Sequence, residues 1–190
     1  MTTAPASHRF TVEDWDRLIE VGFFTKYDNV ELLDGEIVDV TPIGDLQQAS
    51  VDRMPRLFVM RAGERAIVRV QGSVKISKYS VPLPDLAVLA PRDDFYRGGK
   101  PESDDLLLVI EVSDISLTFD RGPKAKLYAA GGVAEYWVVD VNGAAVDVCT
   151  EPSTDGYRSV TSVGRGTTLS PARLPGISLT VDEILGPPAV

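Results

Sequence analysis

One carboxylate interrupts an aliphatic run near the middle of the chain. Glu111 lies inside LLLVIEV, residues 106–112, and every other residue of that run is Leu, Val or Ile. An ionised carboxylate in apolar surroundings loses several kcal/mol of hydration unless a cationic group meets it. Glu111 is therefore expected to face a metal ion or a lysine.

A second carboxylate, Asp85, has a similar setting. It opens the apolar run DLAVLA, residues 85–90, and Pro84 before it favours a position at a strand end or edge. Two carboxylates at the ends of two buried strands supply the oxygen ligands that a hard divalent cation prefers. Asp85 and Glu111 together predict a site for Mg²⁺, or for Mn²⁺ in its place.

Lys124 is the cation that could join these acids. Pro123 suits the first turn of a helix, so Lys124 and Arg121 would lie near a helix N-terminus, where a positive charge costs about 0.3 to 1 kcal/mol. Glu111 or a bound phosphate would offset that cost, whereas a lysine that points into solvent is the alternative. Beside an ion, Lys124 would orient a nucleophile or stabilise developing charge, and the reaction would be phosphodiester hydrolysis.

Composition limits the classes of protein to consider. The chain has 190 residues, of which 44% are hydrophobic and 25% are charged, and this favours a soluble protein with a single domain over 1–190. No apolar run approaches the roughly 18 residues that span a bilayer, and the N-terminus lacks the apolar stretch of a signal peptide. The lone Cys149 suits a reducing compartment. A cytoplasmic protein without a membrane partner is therefore expected.

The net charge of −9 argues against nonspecific binding to nucleic acid, because proteins that bind in that way are typically basic. Any contact with nucleic acid must then come from a local patch. The acids of a metal site would account for only a few of the 28 acidic residues. The charge therefore lowers the expectation of a nuclease without removing it.

Capping and turn residues predict the first elements. Thr11 is an N-cap residue for a helix that Gly22 ends, and Asp34-Gly35 is a dipeptide that a two-residue hairpin turn prefers. Pro55 is expected to kink or divide a second helix. The first helix is predicted over 11–21, the hairpin over 29–40 and the second helix over 45–62.

Apolar runs predict an α/β fold of mixed type with a central sheet. The order strand, helix, strand around Glu111 and Trp137 indicates a crossover connection, and Tyr136 and Trp137 are expected in the core. The polar segment 91–105 is either a mobile flap over a substrate or a solvated connector. Strands are predicted at 66–71, 73–77, 84–89, 106–112 and 134–140, followed by short strands over about 144–180 that form an appended β element.

Three motifs follow one another along the chain: PD, then E-x-V in an apolar strand, then S-x-x-x-D-R-x-x-K-x-x-x-Y-A-x-x-G-V-x-E-Y-W-V-V-D. Together with VELLDGEIV, the TPIG turn and VQGSVKI, they resemble the Uma-two family of endonucleases, within the restriction-endonuclease-like PD-(D/E)XK superfamily. The resemblance runs through nearly the whole chain. It implies a restriction-endonuclease-like core, in which helices flank a central mixed β-sheet. It also implies a metal-dependent endonuclease that hydrolyses phosphodiester bonds of nucleic acid, with DNA as the expected substrate.

The resemblance also implies roles for single residues. Asp85 and Glu111 would be the metal ligands. Lys124 would replace the lysine that the superfamily signature expects at position 113, where this chain has Ser113. Glu31, in VELLDGEIV, matches an additional early acid of the family. By strand alternation, Glu31 either faces solvent or reaches into the site.

Gln47 marks a departure from the family. Many members have a histidine shortly after the Pro-Ile-Gly turn, and Gln47 stands at that place here. Glutamine can hydrogen-bond water or phosphate, but it cannot act as a general base. Gln47 and the acidic charge favour an alternative function, that of a catalytically inactive nuclease-fold module for binding or assembly. A homodimer is the expected oligomer, because two-fold dimers are the commonest.

Several further residues could touch the substrate or support the ligands. Gln71 ends a strand and could line the cleft. Tyr128 lies one helical turn after Lys124, so it either covers the mouth of the site or packs in the core. Arg121 either pairs with Asp120 or steers phosphate. Together with Gln47, these supporting positions are Gln71, Ser113, Arg121 and Tyr128.

Overall fold

Ten strands and five α-helices make up the part of the chain that the structure, a computed structural model, describes, namely residues 7–25, 28–40 and 44–188. The strands are β1 (Val30–Leu33), β2 (Glu36–Asp39), β3 (Ile67–Val70), β4 (Leu86–Leu89), β5 (Leu106–Ser113), β6 (Glu135–Asp140), β7 (Ala145–Ser153), β8 (Gly156–Gly164), β9 (Thr168–Leu169) and β10 (Leu179–Thr180). The helices are α1 (Val12–Glu20), α2 (Asp45–Ala62), α3 (Leu117–Phe119), α4 (Ala125–Ala130) and α5 (Val181–Leu185). A π-helical segment, Asp120–Lys124, joins α3 to α4.

Six of the strands form a mixed sheet in the order β3-β4-β5-β6-β7-β8. The central pair β5 and β6 is parallel, and the other neighbouring pairs are antiparallel. This sheet, with its helices, confirms the predicted mixed α/β fold. Of the strands predicted over about 144–180, β7 and β8 extend the central sheet beside β6, whereas β9 and β10 pair separately. The division into a single domain stays a prediction.

Helices cover both faces of the sheet. α2 and α5 pack on one face, around Phe58, Trp137 and Ile184. α4 packs on the other face, where Tyr128 and Tyr136 are fully buried. The core positions predicted for Tyr136 and Trp137 are confirmed, and their alternation along β6 sends them to opposite faces.

The local turn and capping signals form the predicted structures. The Thr11 hydroxyl accepts from the Asp14 amide, and the Asp14 carboxylate accepts from the Thr11 amide, so the two residues form a capping box. Asp34 and Gly35 have φ values of 55° and 85° between β1 and β2, which is the left-handed backbone that a tight hairpin turn requires. α2 spans the predicted residues and continues through Pro55, so that proline does not divide the helix.

Two predicted elements are wrong. The helical stretch before Lys124 begins at Leu117, so Pro123 lies inside it, in the π-helical segment, and not in a first turn. The electrostatic reason for Lys124 to seek an anion near a helix N-terminus therefore does not apply. The strand predicted directly after β3 does not form either, because Lys75 and Ser77 make only isolated bridges.

The polar segment 91–105 is anchored to the rest of the protein. Tyr96 is buried, and its hydroxyl donates to the Ala90 carbonyl at 2.8 Å. Lys75 binds the segment twice, through its amide to the Pro101 carbonyl at 2.8 Å and through Nζ to Glu102 at 2.9 Å. These contacts favour the connector over the mobile flap. Across the described residues, no helix has both the length and the apolar character that crossing a bilayer requires.

Candidate active site

The register of the central sheet brings Asp85 and Glu111 together. Leu86 pairs with Ile110 in the antiparallel β4–β5 ladder, so Asp85, directly before β4, stands opposite Glu111. The Asp85 amide donates to Glu111 Oε2 at 3.3 Å, and the Val112 amide donates to Asp85 Oδ2 at 2.8 Å. Both acids are buried on the face of the sheet that α4 covers. The two side chains therefore line one site.

Lys124 reaches this site from the helical stretch after β5. Its Nζ donates to Glu111 Oε1 at 2.9 Å and to Glu31 Oε1 at 3.2 Å, and the side chain is only 7% exposed. The Tyr128 hydroxyl, one turn later, donates to the same Glu111 Oε1 at 2.9 Å. Lys124 thus points inward, and Tyr128 packs in the core while it contacts the acid.

Glu31 comes from the β1–β2 hairpin, which docks against the segment before β4. Leu32 forms a bridge with Val81, and the Leu83 amide donates to Glu31 Oε1 at 2.8 Å. Glu31 is 1% exposed. Of the two directions that strand alternation allowed, the side chain takes the one into the site.

The π-helical segment is held in place by a buried acid, Asp120. Its Oδ2 accepts from the hydroxyls of Ser113 at 2.7 Å and Ser116 at 2.6 Å, and its carbonyl accepts from the Tyr136 hydroxyl at 3.1 Å. π-helical turns are rare and are frequently found at functional sites. Ser113 therefore supports the segment that carries Lys124, and this role of Asp120 was missed from the sequence.

Arg121 does not pair with Asp120. Its guanidinium donates to Asp147 in β7 at 2.6 Å and to Asp140, the last residue of β6, at 3.3 Å. The local ion pair considered from the sequence is therefore wrong. Because two carboxylates already bind Arg121, its charge is largely taken up within the protein.

Both glutamines predicted near the site contact Asp85. Gln47 Nε2 donates to Asp85 Oδ2 at 3.5 Å, which is at the limit of a hydrogen bond. The Gln71 amide donates to the Asp85 carbonyl at 3.1 Å. Gln71 has a φ of 45°, which is uncommon for a residue other than glycine. Asp85 is thus fixed from both sides.

The buried charged groups of the site shift one another's pKa values. Burial raises the pKa of Glu111 to about 8; Lys124 opposes this rise, and the neighbouring acids Asp85, Asp120 and Glu31 add to it. Burial also raises the pKa of Asp85. For Lys124, burial alone would lower the pKa, but Glu111 and Glu31 outweigh it and raise the pKa. Lys124 therefore stays protonated at neutral pH and cannot act as a general base.

The raised pKa of Glu111 gives an expected dependence of stability on pH. Between about pH 5 and pH 8 the folded protein holds a proton on Glu111 that the unfolded chain has lost, so the free energy of unfolding should fall as pH rises. The slope should reach roughly 1 kcal/mol per pH unit, and Asp85 acts in the same direction. Urea unfolding across this range measures it. A slope as steep in Glu111→Gln as in the native sequence would assign the effect to other groups.

The residues present fit a hard divalent cation held by two protein ligands. In the described chain, no group of three or more His, Cys, Asp or Glu side chains is arranged to hold a metal ion. The carboxylates of Asp85 and Glu111 remain as a buried pair of oxygen donors. Mg²⁺ commonly takes one or two carboxylates and completes its shell with water and phosphate. Among the described residues, Lys124 pairs with Glu31 and Glu111, and Asp85 beside them forms no ion pair, so the site has more carboxylates than cations and a bound cation would balance them.

Comparison with known proteins adds a family and a fold. Residues 12–182 match the Uma2 family, which is described as "Putative restriction endonuclease". A crystal structure described as "a putative nuclease belonging to DUF820 from Anabaena variabilis ATCC 29413" is similar, with a TM-score of 0.73 and 12% sequence identity over 93% of this chain and 97% of that chain. At this identity the likeness shows a shared fold. No curated protein gives a significant match.

Proposed function

The chain belongs to the Uma2 family, and we propose that it is a divalent-metal-dependent endonuclease that hydrolyses phosphodiester bonds of DNA. The observation that carries this proposal is the buried contact of Lys124 with Glu111, directly beside Asp85. By resemblance to the PD-(D/E)XK superfamily, Asp85 and Glu111 would be the motif acids, and Lys124 would replace the lysine that the motif expects at position 113. Mg²⁺ is the proposed ion, the cytoplasm the proposed location and a homodimer the proposed assembly, which would suit paired cuts in a duplex.

Asp85 and Glu111 would hold the ion. When bound there, Mg²⁺ would polarise a phosphoryl oxygen and lower the pKa of a water molecule. The protein fixes both carboxylates in advance, since the Val112 amide donates to Asp85 and the Tyr128 hydroxyl donates to Glu111. Because hydrogen bonds already orient these two carboxylates, they need little rearrangement when a cation binds.

Lys124 would stabilise the negative charge that develops on the phosphate. Its ammonium is held by Glu31 and Glu111, and it keeps its proton because both acids raise its pKa. A fixed positive charge in a buried site interacts more strongly with a developing anion than the same charge in water. Glu31 would then act by placing the ammonium.

Gln47 favours the second candidate function, an inactive nuclease-fold module for binding or assembly. Its side-chain amide lies 3.5 Å from Asp85 Oδ2 and cannot accept a proton from water. If the reaction needs a base at this place, the site would bind a cation without cutting. The absence of a side-chain base matters less if the ion itself activates the water.

Plasmid cleavage with Asp85→Asn tests the proposed function. The native chain should nick or linearise supercoiled DNA with Mg²⁺ and stop when EDTA is added. Asp85→Asn removes one of two ligand charges and should slow cleavage by at least about 100-fold, since even residues that only orient metal ligands are typically worth 10 to 100-fold. Asp93→Asn makes the same change at an exposed position in the connector and should cut at the native rate.

Three results are informative besides the expected one. Equal cutting by the native chain and Asp85→Asn would place the activity at another site or in a contaminant. Cutting of RNA but not DNA would keep the chemistry and correct the substrate. Metal binding by a chain that cuts neither nucleic acid would establish the inactive module.

A further inference from the structure

Lys124 lies on the carboxylates that a metal ion would need. Glu111 Oε1 already accepts from Lys124 Nζ and from the Tyr128 hydroxyl, each at 2.9 Å. From the described residues, Glu111 Oε2 has only the longer 3.3 Å contact with the Asp85 amide. The ammonium and an incoming divalent cation would therefore share Glu111. We infer that Lys124 is a built-in competitor of the metal ion, and that a nucleic-acid phosphate relieves this competition.

The competition follows from charge and burial. The side chains of Lys124, Glu111 and Glu31 are all at most 7% exposed, so water screens their interactions weakly. A divalent cation on Asp85 and Glu111 would be attracted by the acids but repelled by the ammonium beside it. Without nucleic acid, Lys124 should therefore lower the affinity of the site for an ion.

A phosphate would change this balance. Among the described residues, Lys124 Nζ donates to two acceptors, Glu31 and Glu111, so one of the three N–H groups of the ammonium is left for another acceptor. A phosphate of the nucleic-acid backbone is an anion that could accept that hydrogen bond and also bind the ion. It would offset the repulsion between the two cations. Metal binding and backbone binding should then strengthen each other, and linkage requires the effect to be reciprocal.

This inference rests on the proposed function, because it assumes that a nucleic-acid phosphate enters the site. Its consequence is a chain that loads its metal ion mainly when substrate is present. Without nucleic acid the site would bind a metal ion weakly, and Glu111 would stay paired with the Lys124 ammonium. The substrate, and not the metal concentration alone, would then decide when the site is complete.

Calorimetric titration of Ca²⁺, which takes the same oxygen ligands as Mg²⁺, tests the coupling. The titrations use the native chain, Lys124→Met and Lys126→Met, all in the same buffer at about pH 8.5. Each protein is titrated alone and with a short DNA duplex, whose integrity is checked afterwards on a gel. Lys126 is an exposed lysine two residues along the same helical stretch, so Lys126→Met controls for the loss of one positive charge.

Three results are expected. The duplex should raise the Ca²⁺ affinity of the native chain at least about 10-fold, within the usual range of coupling between sites. In the absence of DNA, Lys124→Met should bind Ca²⁺ about 10-fold more tightly than the native chain does. The duplex should then raise the Ca²⁺ affinity of Lys124→Met by less than it raises that of the native chain. Lys126→Met should behave as the native chain does.

The inference is overturned if Lys124→Met binds Ca²⁺ no better than Lys126→Met, or if no protein binds Ca²⁺ with or without the duplex. Should Lys124→Met fail to fold, Lys124→Gln removes the same charge, keeps a polar group and must show the same gain. The outcome is separable from the proposed function. If the native chain cuts DNA but Lys124→Met shows no gain in Ca²⁺ affinity, only the proposed coupling is wrong. If the titrations show the coupling but the native chain never cuts DNA, only the proposed nuclease activity is wrong.

Discussion

Glu111→Gln should abolish cleavage of DNA, with a single-turnover rate at least about 100-fold below that of the native chain at equal Mg²⁺. Glu111 receives hydrogen bonds from Lys124, Tyr128 and the Asp85 amide, so it links every proposed catalytic element. Glutamine has nearly the same shape, but it lacks the charge that would hold the ion and the ammonium. Rates on supercoiled plasmid under single-turnover conditions measure the loss.

The same substitution should leave the fold intact at slightly acidic pH. The raised pKa of Glu111 reduces the cost of a neutral side chain at slightly acidic pH. Melting curves near pH 6 should therefore show a cooperative transition for the variant, so that a lost rate cannot be blamed on unfolding. The matched control is Glu102→Gln, which breaks the exposed 2.9 Å ion pair with Lys75 and should change cleavage by less than about 2-fold, because surface pairs contribute little. Cleavage by Glu111→Gln within a few-fold of the native rate would exclude Glu111 from the reaction.

Short-range sequence signals predicted the local structure well. Thr11 forms its capping box with a residue three positions away, and Asp34-Gly35 makes a turn within two residues. In both places the hydrogen bonds or backbone angles that decide the conformation belong to neighbours in sequence. Such signals can be read without knowledge of the tertiary structure.

The buried acids were predicted for a different reason. The cost of placing Glu111 in an apolar strand is the same in any fold, and it requires a cationic partner. The sequence could not say how far Asp85 lies from Glu111, because that distance depends on the antiparallel register of β4 and β5. A shift of one residue would have sent one acid to the opposite face of the sheet.

The path by which Lys124 reaches the site was not predictable from Pro123. The proline was expected to begin a helix, whereas Leu117 begins it and Pro123 lies within a π-helical turn. Hydrogen bonds from Ser113 and Ser116 to Asp120 hold that turn, and Ser113 belongs to the preceding strand. A contact between a strand and the connection after it has no signature in local periodicity.

Glu31 and Gln47 show the same limit. Alternation allowed Glu31 two directions, and the choice follows from the docking of the β1–β2 hairpin beside Val81 and Leu83. Gln47 approaches Asp85 because α2 packs across the sheet, a contact between residues 38 positions apart. The types of the site residues could be predicted, but their mutual distances depend on how separate elements pack.

Lys124→Met should separate metal binding from catalysis. At saturating Mg²⁺ it is expected to cut DNA about 100 to 1000-fold more slowly than the native chain, as when one preorganised donor to a transition state is removed. Because the same variant is expected to bind the ion more tightly, weak metal binding cannot explain a slow rate. Single-turnover cleavage across a Mg²⁺ titration measures the plateau rate and its midpoint together, and Lys126→Met provides the native reference.

The direction in which the Mg²⁺ midpoint of Lys124→Met shifts from that of the native chain decides between two roles for Lys124. If the ammonium only recruited nucleic acid, more DNA would restore the rate, and the Mg²⁺ midpoint would stay where it is. If it stabilises developing charge, the plateau falls and excess DNA does not raise it, while the midpoint moves to lower Mg²⁺ because the competing cation is gone. Removing the lysine that pairs with Glu31 and Glu111 should also lower stability without metal by about 3 to 5 kcal/mol, and added Mg²⁺ should recover much of that loss. A plateau equal to that of the native chain would remove Lys124 from the chemical step and leave it as a structural counter-ion.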